Sequence, residues 1–250
     1  MKLKTKAISP LLLLFFITPS SLAINGGSPV AWTTPMAQSI ISLSENTAQG
    51  FSRSFCSGTI ISSNAILSAA HCLAGKAPQN IWVTFGTDGL QSTTLKPATQ
   101  IFIHPRYQVY GSRLPNVKDN GDLAILTFDG GLPFGYRPAL LATSLQDLKT
   151  KSPVFIAGFG IPNHGILSAC QTAIQNLHFS NTEIELYGFS SCSPNGGDSG
   201  GPTYLIKNNR VVVLAIHNWG WHDEQSQPLY SVEASVPYYL EWLHSIVKTP

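Results

Sequence analysis

Three short segments hold side chains whose types and spacing suit joint chemistry. Ser68-Ala69-Ala70-His71-Cys72 ends an apolar run on a histidine, and Asn120-Gly121-Asp122-Leu123-Ala124-Ile125-Leu126 sets an aspartate at the head of another. Gly196-Gly197-Asp198-Ser199-Gly200-Gly201-Pro202 places a serine in a glycine-dense turn. A serine hydroxyl is a poor nucleophile until a histidine takes its proton. The histidine in turn needs a carboxylate on its other nitrogen, to hold the tautomer and steady the imidazolium. Glycines let backbone N–H groups turn inward, so those of Gly197 and Ser199 can meet a developing oxyanion. The chemistry of the set is attack by an activated serine.

The elements that must position these groups read as β-structure. Short apolar runs bounded by Gly, Pro and polar residues predict strands at Gln38–Leu43, Cys56–Ile61, Ala65–Ser68, Ile81–Phe85, Thr99–Ile103 and Leu123–Phe128. After a Gly- and Pro-rich break at Asp129–Pro138, more follow at Pro153–Gly158, Ala173–Phe179, Glu183–Tyr187, Thr203–Ile206, Arg210–His217 and Tyr230–Ala234. Evenly spaced short strands predict a sandwich or barrels, and the break divides the chain into similar halves. At the tail, Val236, Tyr239, Leu240, Leu243, Ile246 and Val247 recur at helical spacing, with Ser235 as N-cap and Pro237 in the first turn. Gly197-x-Ser199-x-Gly201 also fits the nucleophile elbow of α/β-hydrolases. That fold places its Asp and His after the serine, amid alternating helices, and neither feature is present.

Composition narrows the class. The 250 residues are 43% apolar, 10% aromatic and 11% charged, too aromatic and too weakly charged for a disordered chain. No heptads support a coiled coil. The net charge of +2 gives no general case for nucleic acid or an anionic membrane. Lys2, Lys4 and Lys6, the apolar run Leu11 to Ile17 and the small residues before Ile24 read as a secretory signal, residues 1–23, cut after Ala23. The apolar run is about half of a ~20-residue membrane span, so no anchor is expected after cleavage. The cut removes three of the 15 lysines and arginines and none of the 13 acids, turning +2 into −1.

Export to an oxidising compartment makes four cysteines a case for two disulfides, with three pairings open. Cys56 and Cys72 bracket a hairpin and would close a loop of roughly 15 residues, stabilising by about 3 kcal/mol; Cys170 and Cys192 then pair by elimination. No metal is expected: there is no C-x-x-C pair, and His217 and His222 lack an H-E-x-x-H frame. No cofactor is expected either.

The chain resembles the trypsin and chymotrypsin family of serine endopeptidases, over nearly all of its length beyond Ala23. Ile24-Asn25-Gly26-Gly27 is similar to the family's mature start. Cys56-Ser57-Gly58-Thr59-Ile60-Ile61 through Ala69-Ala70-His71-Cys72 is similar to the histidine region, and His104-Pro105-Arg106-Tyr107 to a loop after it. Asp122 to Leu126 matches the aspartate region, Gly197 to Pro202 the serine region, Ile216 to Gly220 the strand beside the substrate and Tyr239 to Leu243 the closing helix. The resemblance implies two antiparallel Greek-key β-barrels, at about 24–130 and 139–235, with a short C-terminal helix at about 236–247. It makes His71 the general base, Asp122 its orienter in preference to nearby Asp119, Ser199 the nucleophile, and Gly197 and Ser199 the oxyanion donors. It also implies an ion pair between a new Ile24 amine and Asp198. No Lys or Arg precedes Ile24, so signal cleavage alone is expected to create that amine.

The same resemblance places Ser193 at the base of the primary specificity pocket, where a preference for Lys or Arg calls for Asp. Trp219 would form a wall and Gly220 an open mouth, while Asn218 stands where a serine commonly supports the catalytic aspartate. Asn195 and Asp223 occupy the region of a missing family disulfide, and Glu233 and Leu229 fall near the pocket floor. His217 aligns with a histidine of glutamate-specific relatives, so an acidic substrate side chain is one reading and a histidine that merely satisfies local hydrogen bonds the other. The expected protein is a secreted monomer, extracellular or periplasmic, acting on protein or peptide substrates; the alternative is a non-catalytic binding protein on the same fold.

Overall fold

Runs such as Ala65-Ile66-Leu67 and Ala124-Ile125-Leu126 are apolar at consecutive positions, which in a strand means burial on both faces. The structure is a computed structural model and describes residues 24–47, 50–108, 121–160, 165–178, 182–187, 192–222 and 228–247. The predicted signal segment, Asp119, Phe179 and Asp223 lie outside the described residues. The first half carries β1 (Ser28–Pro29), β2 (Ile40–Thr47), β3 (Gly50–Ile60), β4 (Ala65–Ser68), α1 (Ala70–Leu73), β5 (Ile81–Phe85), β6 (Thr94–Ile103) and β7 (Ala124–Phe128). The second carries β8 (Leu140–Leu141), β9 (Pro153–Gly158), β10 (Ser168–Asn176), β11 (Glu183–Tyr187), β12 (Pro202–Lys207), β13 (Arg210–His222), β14 (Pro228–Ser235) and α2 (Val236–Ile246).

The sheets close into two antiparallel six-stranded barrels. One runs β2-β3-β4-β7-β6-β5. The other runs β9-β10-β11-β14-β13-β12, closed by pairing of β12 back to β9. Each therefore repeats one connectivity, a Greek-key order in which the fourth strand closes on the first. Ile41, Ile66, Val83, Leu126 and Phe128 fill the first barrel, and Val154, Ile156, Ile174, Ile184 and Leu214 the second. Ile40, Leu67 and Ile125 of the first barrel pack with Tyr204, Val213 and Ile216 of the second in a shared core. This explains the two-faced apolar runs: Ile66 serves its own barrel while Leu67 serves the junction.

Strand ends differ from the predicted ones where polar residues extend a ladder. β2 and β3 continue as a hairpin, pairing Glu45 with Ser52 and Thr47 with Gly50, with no apolar alternation to signal it. β10 starts at Ser168, five residues before the predicted Ala173, because Ser168 to Thr172 pair with β9. The chain start lies on the second barrel: Ser28 pairs with Ala169, and Asn25 bridges Ser193. Helix α2 covers the predicted span nearly to its end and buries Val236, Tyr239 and Leu243; Ser235 occupies the N-cap position without a side-chain capping bond. Among the described residues no helix is long and apolar enough to cross a membrane.

Candidate active site

The ladder between β4 and β7 brings two of the three chemical segments together. Ser68 pairs with Ala124, so the chain leaving β4 and the chain entering β7 meet at one end of the first barrel. His71 is three residues beyond Ser68, in the single turn α1, and Asp122 is two residues before Ala124. The His71 backbone N–H donates to Asp122 Oδ1 at 2.8 Å, and His71 Nδ1 lies 2.8 Å from Oδ2. Asp122 is fully buried, while 26% of the His71 side chain is exposed. A carboxylate facing Nδ1 keeps the ring proton there and leaves Nε2 with the lone pair that accepts a proton.

Two features around Asp122 depend on residue type. Gly121 has φ +56°, and a Cβ there would lie 2.7 Å from His104 Nδ1 and 2.8 Å from the Arg106 backbone. Asn218, with its amide nitrogen turned inward, donates to the carbonyls of Asp122 and Ile216 at 3.2 Å each. Asn218 thus holds the aspartate's main chain.

The serine turn is fixed against both barrels. Gly197 and Gly200 have φ of 92° and 80°, which L side chains rarely adopt. The Ser57 N–H donates to Ser199 O at 2.8 Å, and Cys72 Sγ lies 3.7 Å from the same oxygen. Cys56, beside Ser57, is disulfide-bonded to Cys72, beside His71. One short staple thus ties the histidine turn to the strand holding the serine turn. Gly200 N donates to His217 O and His217 N to Gly201 O, both at 2.9 Å. Among the described residues, the N–H groups of Gly197 and Ser199 meet no acceptor. The second disulfide, Cys170–Cys192, ties β10 to the segment before the turn. Cys56, His71 and Cys72 bring metal-ligand atom types within 4.8 Å, but the two sulfurs are spent on each other.

Ser193, His217, Asn218, Trp219 and Gly220 all line one pocket of about 170 Å³ that reaches Ser199. Behind its wall, His217 Nδ1 lies 3.0 Å from Glu233 Oε1, and Thr203 donates to Glu233 Oε2 at 3.1 Å. Glu233 and Thr203 are buried. Cross-strand pairing of His217 with Glu233 creates this contact. The Ser231 hydroxyl, also lining the pocket, is buried with no hydrogen-bond partner among the described residues. Sequence reasoning named Glu233 without its partner and missed Thr203, Ser231 and the Ser57 bonds. A glutamate between Val232 and Ala234 was the available signal, since a buried carboxylate needs donors. At the site of the missing family disulfide, Asn195 reaches Asn25 by a 3.4 Å side-chain bond and accepts from Gly196 N–H at 2.8 Å.

Asp198 is buried and does not line this pocket. Its carboxyl accepts from Gly160 N–H and Asn195 N–H, each at 2.8 Å. Burial nonetheless holds it well above the usual carboxylate range, outweighing those two bonds. Ile24 is buried, and Asn25 and Ser193 exchange backbone bonds of 2.9 and 3.2 Å beside it. In the continuous chain Ile24 N is an amide, and among the described hydrogen bonds none joins it to Asp198.

Comparison with known proteins gives the family and the fold. The trypsin family model matches residues 24–243. A trypsin of Saccharopolyspora erythraea is 28% identical over 184 residues, covering 66% of this chain and 75% of its own length. The trypsin Tyr p 3.0101 of Tyrophagus putrescentiae is 26% identical over 224 residues, covering 78% and 73%. Among solved structures, a scabies mite inactivated protease paralogue superimposes with a TM-score of 0.70 at 19% identity, covering 88% of this chain and 98% of its own. The chain belongs to the trypsin family of serine proteases.

Proposed function

We propose that this chain is an exported endopeptidase whose mature form begins at Ile24. The observation that carries the reading is the pairing of both His71 N–H groups with buried Asp122, beside a serine turn with two unengaged N–H donors. His71 Nε2 takes the Ser199 proton as Oγ attacks the substrate carbonyl, and the carbonyl electron pair moves onto an oxygen held by the N–H groups of Gly197 and Ser199. The imidazolium, steadied by Asp122, passes its proton to the leaving amine. Water then attacks the acyl-enzyme by the same route, giving a proton to His71 and releasing Ser199. Two disulfides suit an oxidising destination.

Fold alone does not make a peptidase, so the test is chemical. A serine-directed fluorophosphonate should label the mature protein and not its Ser199→Ala variant. A folded mature chain that takes no label points instead to a binding protein on this fold.

The pocket favours an acidic substrate side chain. It offers the hydroxyls of Ser193 and Ser231. Its imidazole has Nδ1 committed to Glu233, leaving Nε2 for the substrate. An N–H at Nε2 would donate to a substrate carboxylate in the pocket. Cleavage of a peptide library should concentrate after Glu or Asp, and Glu233→Gln should reduce those cuts while sparing cuts after neutral residues. A library with no acidic preference rejects the pocket reading and leaves the peptidase reading intact. Signal cleavage would also supply the Ile24 ammonium as partner for Asp198 without a separate activator. N-terminal sequencing of the secreted protein should return Ile24; any other start overturns that step.

A further inference from the structure

Ser57 is fully buried and uses every polar group it has. Its N–H donates to Ser199 O at 2.8 Å, and its carbonyl accepts from Ser68 Oγ at 2.7 Å. Its hydroxyl donates to Gly197 O at 3.0 Å and accepts from Phe159 N–H at 2.9 Å. The residue belongs to β3 of the first barrel; Gly197, Ser199 and Phe159 belong to the second half of the chain.

The value of these bonds lies in which peptide planes they hold. The plane joining Gly197 to Asp198 is gripped at both ends, its carbonyl by Ser57 Oγ and its N–H by Asn195 O at 3.0 Å. The plane joining Ser199 to Gly200 is likewise gripped, by Ser57 N–H and by His217 O. Between them lies the plane that carries the Ser199 N–H. Its carbonyl, Asp198 O, accepts from Gly201 N–H at 2.8 Å. In a trans peptide the N–H points opposite to the carbonyl, so the Ser199 N–H is turned away from the bonded interior of the turn. The Gly197 N–H sits one residue before the first gripped plane, on a glycine whose φ of 92° would otherwise allow wide rotation.

We propose that the Ser57 hydroxyl is a positioning residue for oxyanion stabilisation: it fixes the Gly197–Asp198 peptide plane from the opposite barrel, so that the N–H groups of Gly197 and Ser199 face the reacting carbonyl before substrate arrives. The inference rests on the peptidase reading for its catalytic consequence, but the ordering it describes does not. Donors held ahead of time cost no reorganisation in the transition state. Removing the hydroxyl also costs stability, because it takes this partner from the buried Phe159 N–H and the part-buried Gly197 O.

The test is Ser57→Ala, which keeps the backbone bonds to Ser199 and Ser68 and deletes only the hydroxyl. On a peptide cleaved by the wild type, kcat should fall about tenfold or more while KM changes little, because loss of a single oxyanion donor costs roughly 10²–10³. Binding of the same uncleaved peptide should be equal in the Ser199→Ala and Ser57→Ala/Ser199→Ala proteins. Amide hydrogen exchange at Asp198 and Gly201 should speed up in Ser57→Ala, with the strands of both barrels unchanged. A kcat equal to wild type, a loss confined to KM, or unchanged exchange at Asp198 and Gly201 overturns the proposal. If wild type neither cleaves nor takes fluorophosphonate, the peptidase reading fails separately, and the exchange measurement still decides what Ser57 holds.

Discussion

Asp122 has no exposed surface, and its two carboxylate oxygens do different jobs. Oδ1 takes a main-chain N–H and fixes where the histidine turn sits, while Oδ2 fixes how the ring is turned. Asp122→Asn keeps the size and places one donor among two donors. The amide oxygen can satisfy one of them, and the ring is driven to the tautomer with its proton on Nε2, the wrong one for a base. Activity on peptide substrates should drop by roughly 10³–10⁴-fold with KM little changed. Steady-state kinetics on a variant whose near-UV circular dichroism matches wild type would check this. The residues of the proposed triad could be singled out because each sits in a short segment whose composition is local: two alanines before a histidine, an acid before an apolar run, a serine among glycines. Glu233 was legible only by name. Its meaning depends on the cross-strand pairing of His217 with Glu233, which nothing local in the sequence announces.

At the scale of elements, apolar runs marked the strands that serve two cores at once. β4, β5, β9 and β11 begin and end where the residue pattern placed them. Polar residues extend the β2–β3 hairpin past its predicted ends, where pairing is set by the opposite strand. Helix α2 illustrates the reverse case, since its spacing declared it and its buried face explains it. Val236, Tyr239 and Leu243 join the core shared by both barrels. Leu243→Ala should therefore cost about 2–5 kcal/mol of stability. Thermal unfolding should show a lowered Tm, while kcat at 20 °C per folded molecule stays near wild type, because among the described residues none from α2 lines the pocket.

At the scale of the whole molecule, Asp198 is a fully buried carboxyl among the described residues. Burial raises its folded pKa above the ordinary value near 3.9. A group raised in the fold contributes stability that is present below its unfolded pKa and lost as pH rises through the folded one. A chain still joined through the Ala23–Ile24 peptide bond should thus lose stability from about pH 4 upward. Asp198→Asn should flatten that slope and raise Tm at pH 7. In a chain cut before Ile24, the proposed ammonium beside the carboxylate would reverse the sign, and the same substitution should then lower Tm and abolish cleavage. Thermal unfolding of the four proteins between pH 4 and 8 separates the two cases; parallel slopes in joined and cut chains would sink the ion pair. The cut chain should also lose activity at high pH as its amine deprotonates, from a starting value near 8 that pairing raises.

The packing of Ile24 and the Asn25–Ser193 bridge has a practical side for anyone producing this protein. A purification tag or fusion partner placed ahead of Ile24 leaves an amide where the proposed ion pair with Asp198 calls for a free amine. On the proposed activation such a product would be folded and silent, and easily filed among inert proteins of this fold. Tagging belongs at the far end of the chain, beyond α2, with the leading residue exposed by an enzyme that leaves no scar.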